Sequence, residues 1–139
     1  MVDIEDVLLK DTISSNKMLN FIIEVFDDNL IAAIFMQRLL MSIIQDEINS
    51  LSGGLTVQRD GDDLFYRNRK LSVSIATKSP ISLLIHSALN IVSTGTPIKV
   101  SCLEELMINP IDLANSIMKR FSKEFDEVQF ARVKVNWVI

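Results

Sequence analysis

The 139-residue chain has one cysteine, Cys102, and one histidine, His86. A single cysteine excludes an intrachain disulfide and suits a reducing compartment. The spacing of Cys102 to His86 matches no zinc motif, so no metal site is expected from them. Glycine is scarce, and the Gly53–Gly54 pair lacks the Gly-Lys-Ser/Thr that completes a phosphate loop. Long apolar runs are missing as well. Leu30 to Met36 is stopped by Gln37 and Arg38, whereas a membrane span needs about 20 predominantly apolar residues. Asp3, Glu5 and Asp6 stand where a cleavable signal would be basic and then apolar. The expectation is a soluble, cytoplasmic protein with no membrane association. Positive charge is in deficit, with a net charge of −4. That argues against a surface built to neutralise nucleic-acid phosphates. Repeats, low-complexity tracts and long linkers are absent, so residues 1–139 are read as one domain.

What is present supports a packed core: 48% of the residues are hydrophobic and 23% charged. A short strand or turn is expected near Ile4 to Leu9. "MLNFIIEVF", 18–26, is rich in β-branched and aromatic residues between polar clusters, and reads as a strand. Asp27 or Asp28 then starts a helix over about 28–51. Its apolar residues recur as Leu30, Ile34, Met41, Ile44, Ile48 and Leu51, with a second row through Ala33, Met36, Leu40 and Ile43. "SGG" ends it. "LTVQR", "DLFY", an "RN" turn, "KLSVSIAT" and "ISLLIHSALNIV" follow as an antiparallel meander, and "STGTP" as a loop. Pro110 opens a second helix over about 110–125, and "FARVKVNWVI" alternates like a last strand. The fold class is α+β, with two helices packed on an antiparallel sheet.

The stretch "RDGDDLFYRNRKLSVSIA", 59–76, holds the candidate site. Alternation puts Lys70, Ser72, Ser74 and Ala76 on one face of their strand, and Ser82, Leu84, His86, Ala88 and Asn90 on one face of the next. Small neighbours leave room for a ligand, Lys70 suits an anion, and Asn90 can donate and accept. A half-solvated antiparallel strand carries the same pattern without any site. Asp62 and Asp63 suit magnesium or acid–base work, but adjacent strand residues point to opposite faces. On pattern alone, turn residues on a solvated face are the better reading of the pair. Arg38, beside Gln37 on an apolar helix, either snorkels outward or reaches a carboxylate such as Asp62. No cation flanks Cys102, which is expected to be structural rather than a nucleophile. His86 has no partnered Ser or Cys motif to make a triad.

The order of these segments resembles the catalytic domain of biotin and lipoate protein ligases, on the class II aminoacyl-tRNA-synthetase fold. Asp62 and Asp63 stand at the family's Asn-Asp positions and Lys70 at its lysine. His86-Ser-Ala-Leu-Asn90 stands at its Gly-x-Gly-x-Asn. "QRL", "GDDL" and "KLSVSIA" are still closer to an archaeal domain-of-unknown-function family, DUF366, placed on this fold. The resemblance implies that Lys70 contacts the carboxyl end of an acid and an adenylate. Asp63, Asn90, Asp62 and His86 stand around it at matched positions, and the strand-face reading adds Ser72 to these candidates. It implies ATP with magnesium if ligase activity is retained, and an acyl-adenylate-forming ligase or acyl transferase if the chain is an enzyme. The sequence departs from the ligases at the loop before residue 18, which has no Gly and no Arg. It departs also at His86 and Val73, which replace glycines, and at Asp62, which replaces asparagine. An N-terminal strand and helix of the family are expected to be missing. Two functions follow as expectations. The first is binding of an anionic carboxylate, acyl group or nucleotide by Lys70 with Asp63 and Asn90. The alternative is a non-catalytic homodimeric assembly module.

Overall fold

Met18–Val25 forms strand β2, whose alternate residues Leu19, Phe21 and Ile23 are buried in the core. In the computed structural model, residues 17–93 and 99–138 are described, together with the backbone of 2–6. Val2–Asp6 forms β1, antiparallel to β2, which covers the first half of the strand expected near Ile4–Leu9. Residues 7–9 lie outside the described residues, as do 94–97 of the "STGTP" loop. Among the described residues, no helix is long and apolar enough to cross a membrane.

Helix α1, Leu30–Leu51, starts later than the sequence suggests. Asn29, not Asp27 or Asp28, is its cap. The Asn29 backbone is extended, and its Oδ1 accepts from the N–H groups of Ile31 at 3.0 Å and Ala32 at 3.4 Å. Asp27 Oδ1 works one step upstream, accepting from the Asp28 and Asn29 N–H groups. The helix ends at Ser52, followed by Gly53 with a φ of 66°. Its buried stripe is Ala33, Gln37, Leu40, Met41, Ile43, Ile44 and Ile48. Leu30, Ile34 and Leu51, the ends of the row expected to be apolar contacts, are exposed. A 3.6-residue repeat drifts off any straight row, so only the middle of that row stays on the contact face.

Two antiparallel sheets follow. Gln58–Asp60, Asp63–Tyr66 and Arg69–Lys70 form β3, β4 and β5 of a small three-stranded sheet. "LTVQR" thus contributes only its end. Arg67 and Asn68, both at positive φ (52° and 61°), make the tight β4–β5 turn. "KLSVSIAT" is not one strand: Leu71 interrupts it between β5 and β6, Ser72–Lys78. Leu71 and Ser72 are consecutive and both buried, so the alternation slips by one at that point. With β7, Leu83–Asn90, the larger sheet runs β1-β2-β7-β6. The Leu71 N–H donates to the Leu64 carbonyl (2.8 Å), and the Leu64 N–H donates to Ser72 Oγ (2.9 Å), which stitches the two sheets together.

Helix α2, Pro110–Ala131, is six residues longer than expected, because no glycine or proline stops it after Phe125. Asn109 caps it and Pro110 occupies its first turn. Leu113, Ala114, Ile117 and Phe121 dock it on the core. Ser116 and Arg120 reach Glu47, and Arg120 also meets Asp46 at 2.9 Å. The Asp46 hydrogen bond raises the guanidinium pKa above its ordinary value. The expected last strand is a correction. Phe130 and Ala131 complete α2, and 132–138 form no ladder with any described strand. An alternating segment becomes a strand only where an open edge lies within its reach.

Candidate functional site

Ladder register decides which faces the site residues occupy. Ser74 pairs with Ser87, Ser72 with Leu89 and Ala76 with Ile85, so Ser72, Ser74 and Ala76 look toward the helices. Val73 pairs with Ala88 and Ile75 with His86, on the opposite, outer face. The small-residue face of β6 and the His86 face of β7 are therefore on opposite sides of the sheet. Ser72 and His86 cannot line one pocket, contrary to what alternation counted from Lys70 suggests. Ser72 is buried and spends its hydroxyl on Leu64. On the outer face Val73 is 47% and Ile75 63% exposed, which makes this side of β6 an apolar strip.

Three expected residues do meet, where β5 runs into β6 and β7 ends. Lys70 Nζ lies 3.2 Å from Asp63 Oδ1, and both side chains are partly open to solvent. The Asn90 amide nitrogen donates to the Ser101 carbonyl at 3.0 Å and the Lys70 carbonyl at 3.5 Å. The Ser101 N–H in turn donates to the Lys70 carbonyl (2.9 Å), and the Leu103 N–H to that of Asn90 (2.8 Å). Arg69 pairs with Glu105 at 2.6 Å, tying the 101–105 segment to the hairpin. Arg67 stacks over the Tyr66 ring at 5.2 Å. The junction is thus a held frame around one accessible ammonium group.

Asp62 turns elsewhere. It accepts from Gln37 Nε2 at 3.3 Å, and the same nitrogen donates to Ser74 Oγ at 2.8 Å, which meets Ser87 Oγ at 2.7 Å. Gln37, not Arg38, is the residue that reaches the carboxylate. The exposed Arg38 guanidinium lies against Gly61 instead. A second link crosses the outer face, with His86 Nε2 2.6 Å from Asn20 Oδ1. An amide oxygen only accepts, so Nε2 carries the proton. Asn20 was missed by the sequence reading. A polar residue inside an apolar strand is the signal that marks it, as Gln37 is marked within its apolar stripe.

These features sit on a recognisable scaffold. Residues 1–136 match the model of a domain of unknown function, DUF366. The chain belongs to the DUF366 family. It is 36% identical over 136 residues to an uncharacterized protein of Methanocaldococcus jannaschii, covering 93% of this chain and 61% of that one. The chain therefore spans less than two thirds of the length of this curated relative. A protein of unknown function from Pyrococcus horikoshi superposes with a TM-score of 0.77 at 33% identity, over 96% of this chain and 74% of that chain. Biotin protein ligase from Aquifex aeolicus, as a point mutant in complex with biotin, superposes with a TM-score of 0.68 at 13% identity. That match covers 81% of this chain and 52% of the ligase. The α+β fold is thus that of a biotin protein ligase, as the segment order suggested.

In this DUF366 member Cys102 is buried, with its sulfur 3.7 Å from Ser93 Oγ and 3.8 Å from Glu105 Oε1. Alkylation at neutral pH is expected to be slow until denaturant opens the fold, because reagent cannot reach a buried sulfur. Labelling followed by mass spectrometry checks this. A native rate equal to that of a free thiol would place Cys102 at the surface.

Proposed function

We propose that this chain binds an anionic small molecule carrying an apolar portion, a carboxylic acid, acyl group or nucleotide, with Lys70 as the anion-holding residue. One observation carries the reading. An accessible lysine, steadied by Asp63, stands two residues before a strand whose outer face exposes Val73 and Ile75. An ammonium group has three N–H donors, and the Asp63 contact uses one. Charge at one end and apolar surface along the strand suit an amphipathic acid. Asn90 acts indirectly, since its amide nitrogen holds the Lys70 and Ser101 backbone. Asp62 and Ser72, engaged with Gln37 and Leu64, support the frame rather than touch the guest. The residues do not fit magnesium-ATP. Asp62 and Asp63 face different partners, and the segment before residue 18 has no Gly or Arg for a phosphate. No adenylation step is assigned to this chain.

Mass spectrometry of the purified protein tests for retained ligand, and calorimetry tests ATP, AMP, biotin, lipoate and fatty acids. Lys70→Ala is expected to weaken the binding found by about 1.5–3 kcal/mol, the worth of a charged hydrogen bond. Its melting curve should stay within about 0.5 kcal/mol of the parent, because the lysine is partly exposed. Absence of heat with every compound, or unchanged binding by Lys70→Ala, sinks the reading.

A further inference from the structure

Leu64 and Tyr66 of β4 are buried in the core, and Phe65 between them points the other way and is half-buried. Ladder register sets Gln58 of β3 opposite Phe65 on one side and Lys70 of β5 opposite it on the other. Directly paired side chains share a face, so Gln58, Phe65 and Lys70 form one row across the small sheet. The row is two strand spacings long, about 9.6 Å. Beside Phe65 lies a cavity of about 280 Å³, lined also by Gln58, Arg59, Asp60 and Asn68. A cavity of about 150 Å³ is enough for benzene, so this one takes a single substituted ring. The two ends of the row differ in charge. At one end the Lys70 ammonium keeps N–H donors beyond the one that meets Asp63. At the other, the amides of Gln58 and Asn68 both donate and accept. Arg59 Nη1 donates to the Gly61 carbonyl at 2.7 Å, and the Asp60 carboxylate is exposed.

We propose that the guest held by Lys70 is a monoanionic aryl carboxylate with a hydroxyl on the far side of its ring, para-hydroxybenzoate being the simplest member. This rests on the reading of Lys70 as the anion-holding residue, and it makes the guest's apolar portion a flat ring laid on Phe65. Lys70 and Phe65 are direct neighbours, about one strand spacing of 4.8 Å apart. The anionic group is therefore attached to the ring itself. A nucleotide, whose sugar separates phosphate from base, does not match that spacing. An offset pair of aromatic rings adds to what area burial alone contributes. The hydroxyl at the far end reaches Gln58, which can accept its proton or donate to its oxygen. Asp60 at that end also accepts from a hydroxyl but repels a second carboxylate. That repulsion fixes the orientation, with the carboxylate at Lys70, and excludes dianions.

Calorimetry of the full chain with para-hydroxybenzoate, its saturated cyclohexane counterpart, benzoate, octanoate and AMP tests this. The aromatic acid is expected to bind about fivefold or more tightly than the saturated one. Phe65→Leu should cut that preference to about twofold or less, a change in selectivity that a purely structural role would not produce. Gln58→Ala, at an exposed position, should weaken para-hydroxybenzoate about fivefold and leave benzoate unchanged. Lys70→Ala should weaken every acid that binds, which tests the underlying reading separately. Octanoate or AMP binding as tightly as para-hydroxybenzoate, with Lys70→Ala weakening both, overturns the aryl guest and leaves the role of Lys70 standing. An aromatic preference that survives Phe65→Leu overturns it as well. No heat with any of the five overturns both.

Discussion

Phe121→Ala is expected to lower the unfolding free energy by about 3–5 kcal/mol, the usual cost of deleting a buried aromatic side chain. Phe121 is fully buried in the core cluster, and α2 is held to the core by only four buried residues, Leu113, Ala114, Ile117 and Phe121. Of its apolar neighbours on α2, Phe125 packs only partly against the core and the residues after it are polar or exposed, so little of the lost contact can be taken over. The polar ties of Ser116 and Arg120 to α1 would remain, but partly exposed ion pairs contribute little on their own. Domains of this size are stable by about 5–15 kcal/mol, so one substitution would remove a large share. Urea melts at constant slope measure it. A loss below about 1 kcal/mol would mean that α2 does not dock through this face. Val128→Ala is the control. That side chain is half-exposed on the same helix, and a change within about 0.5 kcal/mol is expected.

Ile44→Ala should cost about 2–5 kcal/mol. Ile44 is wholly buried at the centre of the α1 stripe, between Leu40 and Ile48 on successive turns. Removing three carbons there leaves a void in a close-packed core. Ile34→Ala is the informative comparison. Ile34 and Ile44 fall in the same apolar row by sequence spacing, yet Ile34 is exposed and its loss should cost less than about 1 kcal/mol. Equal costs for the two would show that the helix is rotated from the phase described. A cost below about 0.5 kcal/mol for Ile44 would place it outside the core.

Much of the site frame was legible before folding was considered. The Arg67-Asn68 turn, the strand after it and the lysine at their junction follow from local chemistry. A two-residue turn at positive φ brings its flanking residues together whatever the rest of the chain does. The union of Lys70, Asp63 and Asn90 at one junction was expected in outline. The identity of the side chain that reaches Asp62 was not. Gln37 and Asp62 are 25 residues apart, and only the docking of α1 against the hairpin brings them together. The face of β6 was lost at a single residue. Leu71 shifts the alternation, and a one-residue shift exchanges the two faces of everything that follows.

Local patterns were enough to define the elements: two helices with apolar stripes, strands bounded by turn residues, and an α+β class. Those properties depend mainly on residues a few positions apart. Long-range packing settled which face of the sheet is covered and which carries Val73, Ile75 and His86 outward. It also brought Asn20 to His86, and it left the alternating tail outside every ladder of the described strands. Each of these is a matter of pairing between distant segments. Which of the possible pairings forms depends on how the whole core packs, and no local pattern contains that information.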